Sequence, residues 1–259
     1  MSTSTDKRIV IDMIVREVQA KTILSRSKVF DYSLNPYIGC EHGCTYCYAR
    51  FMKRYTGHTE DWGEFVDVKT NVASLLQREI KKKQIGRVWI SGTCDPYQPL
   101  EMRYKLTKRC LEILLENRWP VTVQTKSPLI KRDLELVRKF HNIEVGFTIT
   151  TADENIRKIF EPNAPPVGER VETLNELRSS GIKTFVMIAP LLPKAEGLVA
   201  QLTGKVDYVL IDKMNYHYAD RVYRKHKMEY AMTNNFFNCK KAKLANAFER
   251  EGIPYQLIF

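Results

Sequence analysis

NPYIGCEHGCTYCYAR, residues Asn35–Arg50, sets three cysteines within eight positions at the spacing C-x3-C-x2-C. Thiolates bind soft metals, and three so close in sequence can grip one centre only if the backbone wraps around it. Gly39 and Gly43 permit the wrapping, because glycine accepts conformations that side chains forbid. Asn35-Pro36 breaks the strand expected just before the loop. Two metal chemistries compete here. A cubane [4Fe–4S] cluster held by Cys40, Cys44 and Cys47 keeps one iron open for a further ligand. Structural zinc asks for four protein ligands, usually in paired knuckles. His42 lies inside the loop at a poor spacing for the fourth, and Cys239 is far along the chain. Iron–sulfur is the better fit, and three unliganded buried cysteines the poorest.

Working outward, short apolar runs alternate with helical segments. Strands are expected at Val29–Leu34, Arg87–Thr93, Val121–Thr125, Ile143–Thr151, Lys183–Pro190 and Asp207–Asp212. Helices are expected at Thr107–Asn117, Arg132–Phe140, Arg170–Ser179 and Leu198–Leu202, with a last one at Lys240–Glu251 before PYQLIF. That alternation indicates βαβ units and a largely parallel sheet, an α/β fold.

At 259 residues, with 44% hydrophobic and 10% aromatic residues, the chain has ample material for a core, which excludes disorder as its main state. The longest apolar run, Phe185–Pro193, holds two prolines and is far short of the roughly 20 residues of a membrane span. No secretory h-region is apparent at the start, and the remaining cysteines, at 94, 110 and 239, do not make a disulfide framework. A reducing, cytoplasmic setting is expected. The net charge of +11 suggests an anionic partner.

The cysteine loop resembles that of the radical S-adenosylmethionine (SAM) superfamily. Three further stretches narrow the resemblance to spore photoproduct lyase-like proteins, often called DNA repair photolyases. They are SGTCDPYQPLE (Ser91–Glu101), VTVQTKS (Val121–Ser127) and APLLP (Ala189–Pro193). Together these run from about Asn35 to Asn215, and they are specific for the subgroup but not for a substrate. The resemblance implies a partial (β/α)6 TIM-like barrel, with its chemistry at the C-terminal mouth of the strands. Residues 1–259 then form a single domain, with 1–25 as an N-terminal extension, 26–215 as barrel core and 216–259 as a C-terminal extension. The implied cofactors are a [4Fe–4S] cluster and SAM, cleaved reductively to a 5′-deoxyadenosyl radical. The implied partner is an electron donor such as a ferredoxin or flavodoxin, with no membrane involved.

Roles carried over residue by residue begin with Cys40, Cys44 and Cys47 as cluster ligands. Tyr46 would stack near the adenine, or simply pack over the cluster; Tyr48 matches a position near the radical path, or is a core tyrosine. Ser91, Gly92 and Thr93 would meet the SAM amino group, with Asp95 accepting a hydrogen bond there or capping the next segment. Lys126 would pair with the SAM carboxylate, and Thr148 or Thr150 would reach the ribose. Cys94 is an attractive hydrogen donor near the mouth. Authentic spore photoproduct lyases carry their donor cysteine slightly earlier on strand two, around Gly92 of this chain, so direct thymine-dimer reversal is in doubt. Arg170 reads as a solvated charge at a helix start, Cys110 as a core thiol.

The segment Asn215–Tyr230, NYHYADRVYRKHKMEY, interleaves four tyrosines with Arg221, Arg224, Lys225 and Lys227. Rings stack on bases while cations meet phosphates, so the segment is a candidate contact for DNA or RNA. A solvated charged helix is the commoner explanation of such a run. The leading functional expectation is a radical SAM enzyme acting on a nucleic-acid base, as a repair lyase or a modification enzyme. Its rivals are the same chemistry on a peptide or small metabolite, and a non-enzymatic metal-binding adaptor.

Overall fold

The computed structural model describes residues 13–259. In chain order its strands are β1 (Ile14–Val18), β2 (Leu24–Arg26), β3 (Tyr32–Leu34), β4 (Tyr37–Ile38), β5 (Phe65–Lys69), β6 (Val88–Ile90), β7 (Val121–Thr125), β8 (Ile143–Thr148), β9 (Lys183–Ile188), β10 (Tyr208–Ile211) and β11 (Tyr255–Leu257). Helices are α1 (Val72–Ile80), α2 (Glu101–Tyr104), α3 (Leu106–Glu116), α4 (Leu134–Val137), α5 (Glu154–Phe160), α6 (Val167–Ser179), α7 (Leu198–Leu202), α8 (Asp220–Lys225) and α9 (Asn234–Arg250).

Eight strands form one sheet in the order β11-β10-β9-β8-β7-β6-β3-β2. Every neighbouring pair from β3 to β11 is parallel, and β2 closes a short antiparallel hairpin onto β3. No ladder joins the β11 and β2 edges, so this is the expected α/β fold as an open, partial barrel. Alternation builds its core. Val88, Ile90, Val123, Val145, Phe147, Val186, Ile188, Val209 and Ile211 are all fully buried, and Leu111 and Leu114 of α3 and Leu174 and Leu177 of α6 join the same core. Each such side chain contributes about 1.5–3 kcal/mol by leaving water. The intervening residues Trp89, Gln124, Thr148 and Met187 line a cavity on the other face.

All six expected strands are present, with differences at their ends. β6 stops at Ile90 rather than Thr93, because Asn35 draws the following residues out of the ladder: its Oδ1 accepts from Ser91 Oγ at 2.6 Å and from the Thr93 N–H at 2.8 Å. The helix expected at Arg132–Phe140 shrinks to a 3-10 segment, Pro128–Asp133, and the single turn α4. Arg132 is pulled away to ion-pair with the buried Glu101 and Asp133. PYQLIF contains a seventh parallel strand, β11.

The stretch expected to be an N-terminal extension supplies β1 and the start of β2, while residues 1–12 lie outside the described part. β1 pairs in parallel with β5, and β4 antiparallel with β5, in a second, three-stranded sheet. This small sheet positions Phe65 directly behind the cysteine loop. Among the described residues no helix is long and apolar enough to cross a membrane.

Candidate active site

A cavity of about 580 Å³ opens at the C-terminal ends of the strands. Cys40, Cys44, Tyr46, Cys47 and Tyr48 line it from the loop, Ser91, Gly92, Thr93, Cys94 and Asp95 from the end of β6, and Lys126 and Thr148 from the ends of β7 and β8. Every residue given a cluster, SAM or radical role from the sequence is thus gathered in one place except Thr150, whose hydroxyl turns away to donate to Glu161. Of the threonine pair it is Thr148 that faces the cavity, accepting a hydrogen bond from Gln124 Nε2 at 3.0 Å.

The cysteine loop is wound by short-range bonds, from the Gly43 N–H to the Cys40 carbonyl (3.2 Å) and from the Cys47 N–H to the Cys44 carbonyl (3.1 Å). Gly39 has φ +91°, and a Cβ there would stand 2.3 Å from the Phe65 carbonyl oxygen. At Gly43, φ +57°, the backbone passes so near Gly63 that a Cβ on Gly63 would lie 2.7 Å from the Gly43 Cα. At Gly39 and Gly63 only glycine satisfies both the backbone turn and the close approach. All six cysteines are free. Burial pushes the thiols of Cys40, Cys44 and Cys47 upward, Cys44 to about 12, so ionising them needs a strong positive centre. Among the described residues no three His, Cys, Asp or Glu side chains converge as a single ion requires. A structural zinc takes four protein ligands, whereas a cubane takes three cysteines, each on a different iron, as this loop supplies. The donor set fits an iron–sulfur cluster.

Behind the loop lies a buried charge network that the sequence did not disclose. Glu161, fully buried after α5, accepts hydrogen bonds from Tyr46 Oη and from Thr150 Oγ1 (3.0 Å), and its other oxygen is 2.6 Å from Arg170 Nη1. Arg170 is not the solvated charge expected at a helix start: it is fully buried and also donates to the Thr148 and Pro165 carbonyls. With five donors in a planar fork, arginine can satisfy such a site completely. Burial raises the Glu161 carboxyl, but Arg170, Lys126 and the Tyr46 hydrogen bond outweigh it and hold it at about 2. Tyr46 is thereby fixed by its hydroxyl, with the Lys126 ammonium 5.8 Å from its ring centroid. Lys126 makes no ion pair within 4 Å among the described residues; burial works against its charge, while Cys44 and Glu161 raise it above the ordinary lysine value.

Asp95 ties the end of β6 to the end of β7. Its Oδ1 accepts from Thr125 Oγ1 (2.6 Å) and the Tyr97 N–H (2.9 Å), and Oδ2 from the Lys126 N–H (2.7 Å). His42 Nε2 stands 3.2 Å from Oδ2, near enough to attract but off the line of a hydrogen bond. Burial opposes its ionisation, yet His42 and these donors hold Asp95 at about 2. Cys94 sits beside it with Sγ 2.9 Å from Ser91 Oγ, and burial lifts its thiol to about 11. A Cβ on Gly92 would meet the Trp89 ring at 3.1 Å, a tight contact.

The profile of the Radical SAM superfamily matches residues 34–196. The chain belongs to the radical SAM superfamily. Such enzymes use a [4Fe–4S] cluster and SAM. Over 180 residues this radical SAM enzyme is 38% identical to an uncharacterized protein of Methanocaldococcus jannaschii, covering 68% of this chain and 67% of that one. An uncharacterized protein of Mycobacterium bovis is 32% identical over 172 residues; the match spans about half of that relative's length, 51%. A relative from Pseudomonas phage M6, 22% identical over 161 residues and matched over 32% of its length, bears the name radical SAM Nalpha-GlyT isomerase. Among solved structures, a spore photoproduct lyase complexed with dinucleoside spore photoproduct is similar at a TM-score of 0.70 and 14% identity, over 95% of this chain and 82% of that one. At that identity the likeness is one of fold.

The mouth of the radical SAM cavity is aromatic. Tyr48 opens a 3-10 segment, Tyr48–Tyr55, and donates its hydroxyl proton to the Gly92 carbonyl. Its ring stacks on Tyr216 (5.8 Å, 21° between planes), and Tyr216 stacks on Tyr218 (6.1 Å, 23°). Tyr216 and Asn215 line the cavity as well. Sequence reasoning named both chain segments but did not foresee that they meet. Trp89, Gln124 and Met187 were overlooked, although their alternation with buried neighbours along each strand carried the signal.

Proposed function

We propose that this radical SAM enzyme acts on a nucleic-acid base, as a repair lyase or a base-modifying enzyme. The observation that carries the reading is the rim of the cavity. Asn215 and Tyr216 line it, and the segment they begin continues through Arg221, Arg224, Lys225 and Lys227. A polyanion whose base enters the cavity would leave its phosphates near these cations. A structural neighbour bound to a dinucleoside photoproduct is in keeping with this reading.

In the proposed site Cys40, Cys44 and Cys47 hold the cluster. Tyr46, clamped by Glu161, would face the adenine of SAM, Lys126 would pair with the SAM carboxylate, the Ser91–Asp95 turn would receive the amino group, and Thr148 would serve the ribose. With an electron from a ferredoxin- or flavodoxin-like donor, the bound cluster and SAM would supply a 5′-deoxyadenosyl radical for hydrogen abstraction. Cys94, which lines the cavity with its Sγ 2.9 Å from Ser91 Oγ, is the candidate thiol hydrogen donor. Tyr48 closes the lip of the cavity through its bond to Gly92. Around Gly92, where the resemblance puts the lyases' donor cysteine, this chain carries none, which favours an outcome other than direct dimer reversal.

Anaerobic reconstitution with iron and sulfide, then reduction with SAM in the presence of DNA, RNA or peptide pools, tests the reading. Formation of 5′-deoxyadenosine should be stimulated by nucleic acid. Stimulation by peptides alone would overturn the substrate class.

A further inference from the structure

We infer that Tyr48, Tyr216 and Tyr218 form a stacking platform for unpaired nucleotides, so that the enzyme takes its target base from single-stranded or extruded nucleic acid rather than from an intact duplex. The inference rests on the nucleic-acid reading above and narrows it.

The three rings come from two segments far apart in sequence, yet their planes lie within 21° and 23° of parallel between neighbours. All three are exposed, at 37%, 51% and 42% for Tyr48, Tyr216 and Tyr218, so aromatic surface stays in water at the cavity lip. Two of the rings line the cavity and the third lies outside it, which makes the row a track leading outward from the site. The Arg50 guanidinium stands 5.9 Å from the Tyr218 centroid, and on the same 3-10 segment as Tyr48, Arg54 packs against Phe51 and Tyr55, themselves exposed.

An intact duplex offers a protein its phosphates and the edges of its bases; base faces are available only in unpaired or flipped nucleotides. A ladder of exposed parallel rings beside guanidinium groups is the chemistry of single-strand binding, in which successive bases stack and the backbone tracks the charge. The cavity makes the same demand, because a base can enter a barrel mouth only after leaving its stack.

Fluorescence anisotropy with a short oligothymidylate and with a blunt duplex, on the reconstituted full chain, tests the platform. Wild type should prefer the unpaired strand. Tyr218→Ala and Tyr216→Ala should each weaken that binding about tenfold while leaving duplex binding unchanged, and Tyr218→Phe, which keeps the ring, should bind as wild type does. Equal single-strand binding by wild type and both alanine variants, or an equal loss on duplex, overturns the platform while nucleic-acid-stimulated turnover still supports the substrate class. Absence of both binding and stimulation overturns platform and substrate class together.

Discussion

The two walls of the cavity are built on opposite terms. Around the cysteine loop, side chains are buried and tied: Glu161 and Arg170 are fully enclosed, Asp95 accepts three hydrogen bonds, and glycine backbones pass where no Cβ fits. At the tyrosine rim the rings are exposed, and the contacts are largely aromatic and cation–π. Buried polar networks fix geometry at high stakes, since each unpaired member is costly. Exposed rings cost the fold little and stay free to meet a ligand. One wall is suited to hold a cofactor of fixed shape, while the other leaves rings exposed for contact.

The contrast can be broken most directly at Cys40. Cys40→Ala should reduce reductive SAM cleavage to background and lower the iron and sulfide content after reconstitution; retained activity would remove the loop from the chemistry. Next in size is Arg170→Met, which strands a buried carboxylate and should cost about 3–5 kcal/mol in urea unfolding. The double variant with Glu161→Gln should recover much of the loss, and a merely additive double variant would show that the two charges do not act as a pair. Gly39→Ala should cost about 2–4 kcal/mol, from its left-handed backbone and the clash with Phe65.

Acid sharpens the comparison further. Glu161 is held at about 2, below its ordinary 4.5, so its ionised form favours the folded chain. The stabilisation is complete above pH 4.5 and drains away as the pH falls toward 2. In cluster-free protein, Glu161→Gln should flatten that acid limb of the unfolding curve. Smallest of all, Tyr218→Ala should change thermal stability by no more than about 0.5 kcal/mol, as befits a rim built for contact rather than packing.

Much of this was legible in the sequence for physical reasons. The strands show because Val88, Ile90, Val121 and Val123 alternate against one core, and the metal loop because cysteine spacing is local information. Arg170 was misjudged because its counter-charge, Glu161, reaches it only through the fold, and no local pattern marks either residue as buried. The β1 and β5 strands were missed because they pair with each other across three intervening strands and the cysteine loop, in a sheet outside the βα alternation. Tyr48 and Tyr216 were both noticed, but stacking between residues so far apart in sequence is a property of the barrel mouth alone.

Asp95 has an evolutionary consequence. Because one carboxylate serves Thr125, the Lys126 backbone and Tyr97 while facing His42, no single replacement at position 95 can keep all of its partners. Drift there must be concerted. Among homologues, positions 42, 95 and 125 should therefore change together or stay fixed, even as the tyrosines of the rim come and go with the substrate.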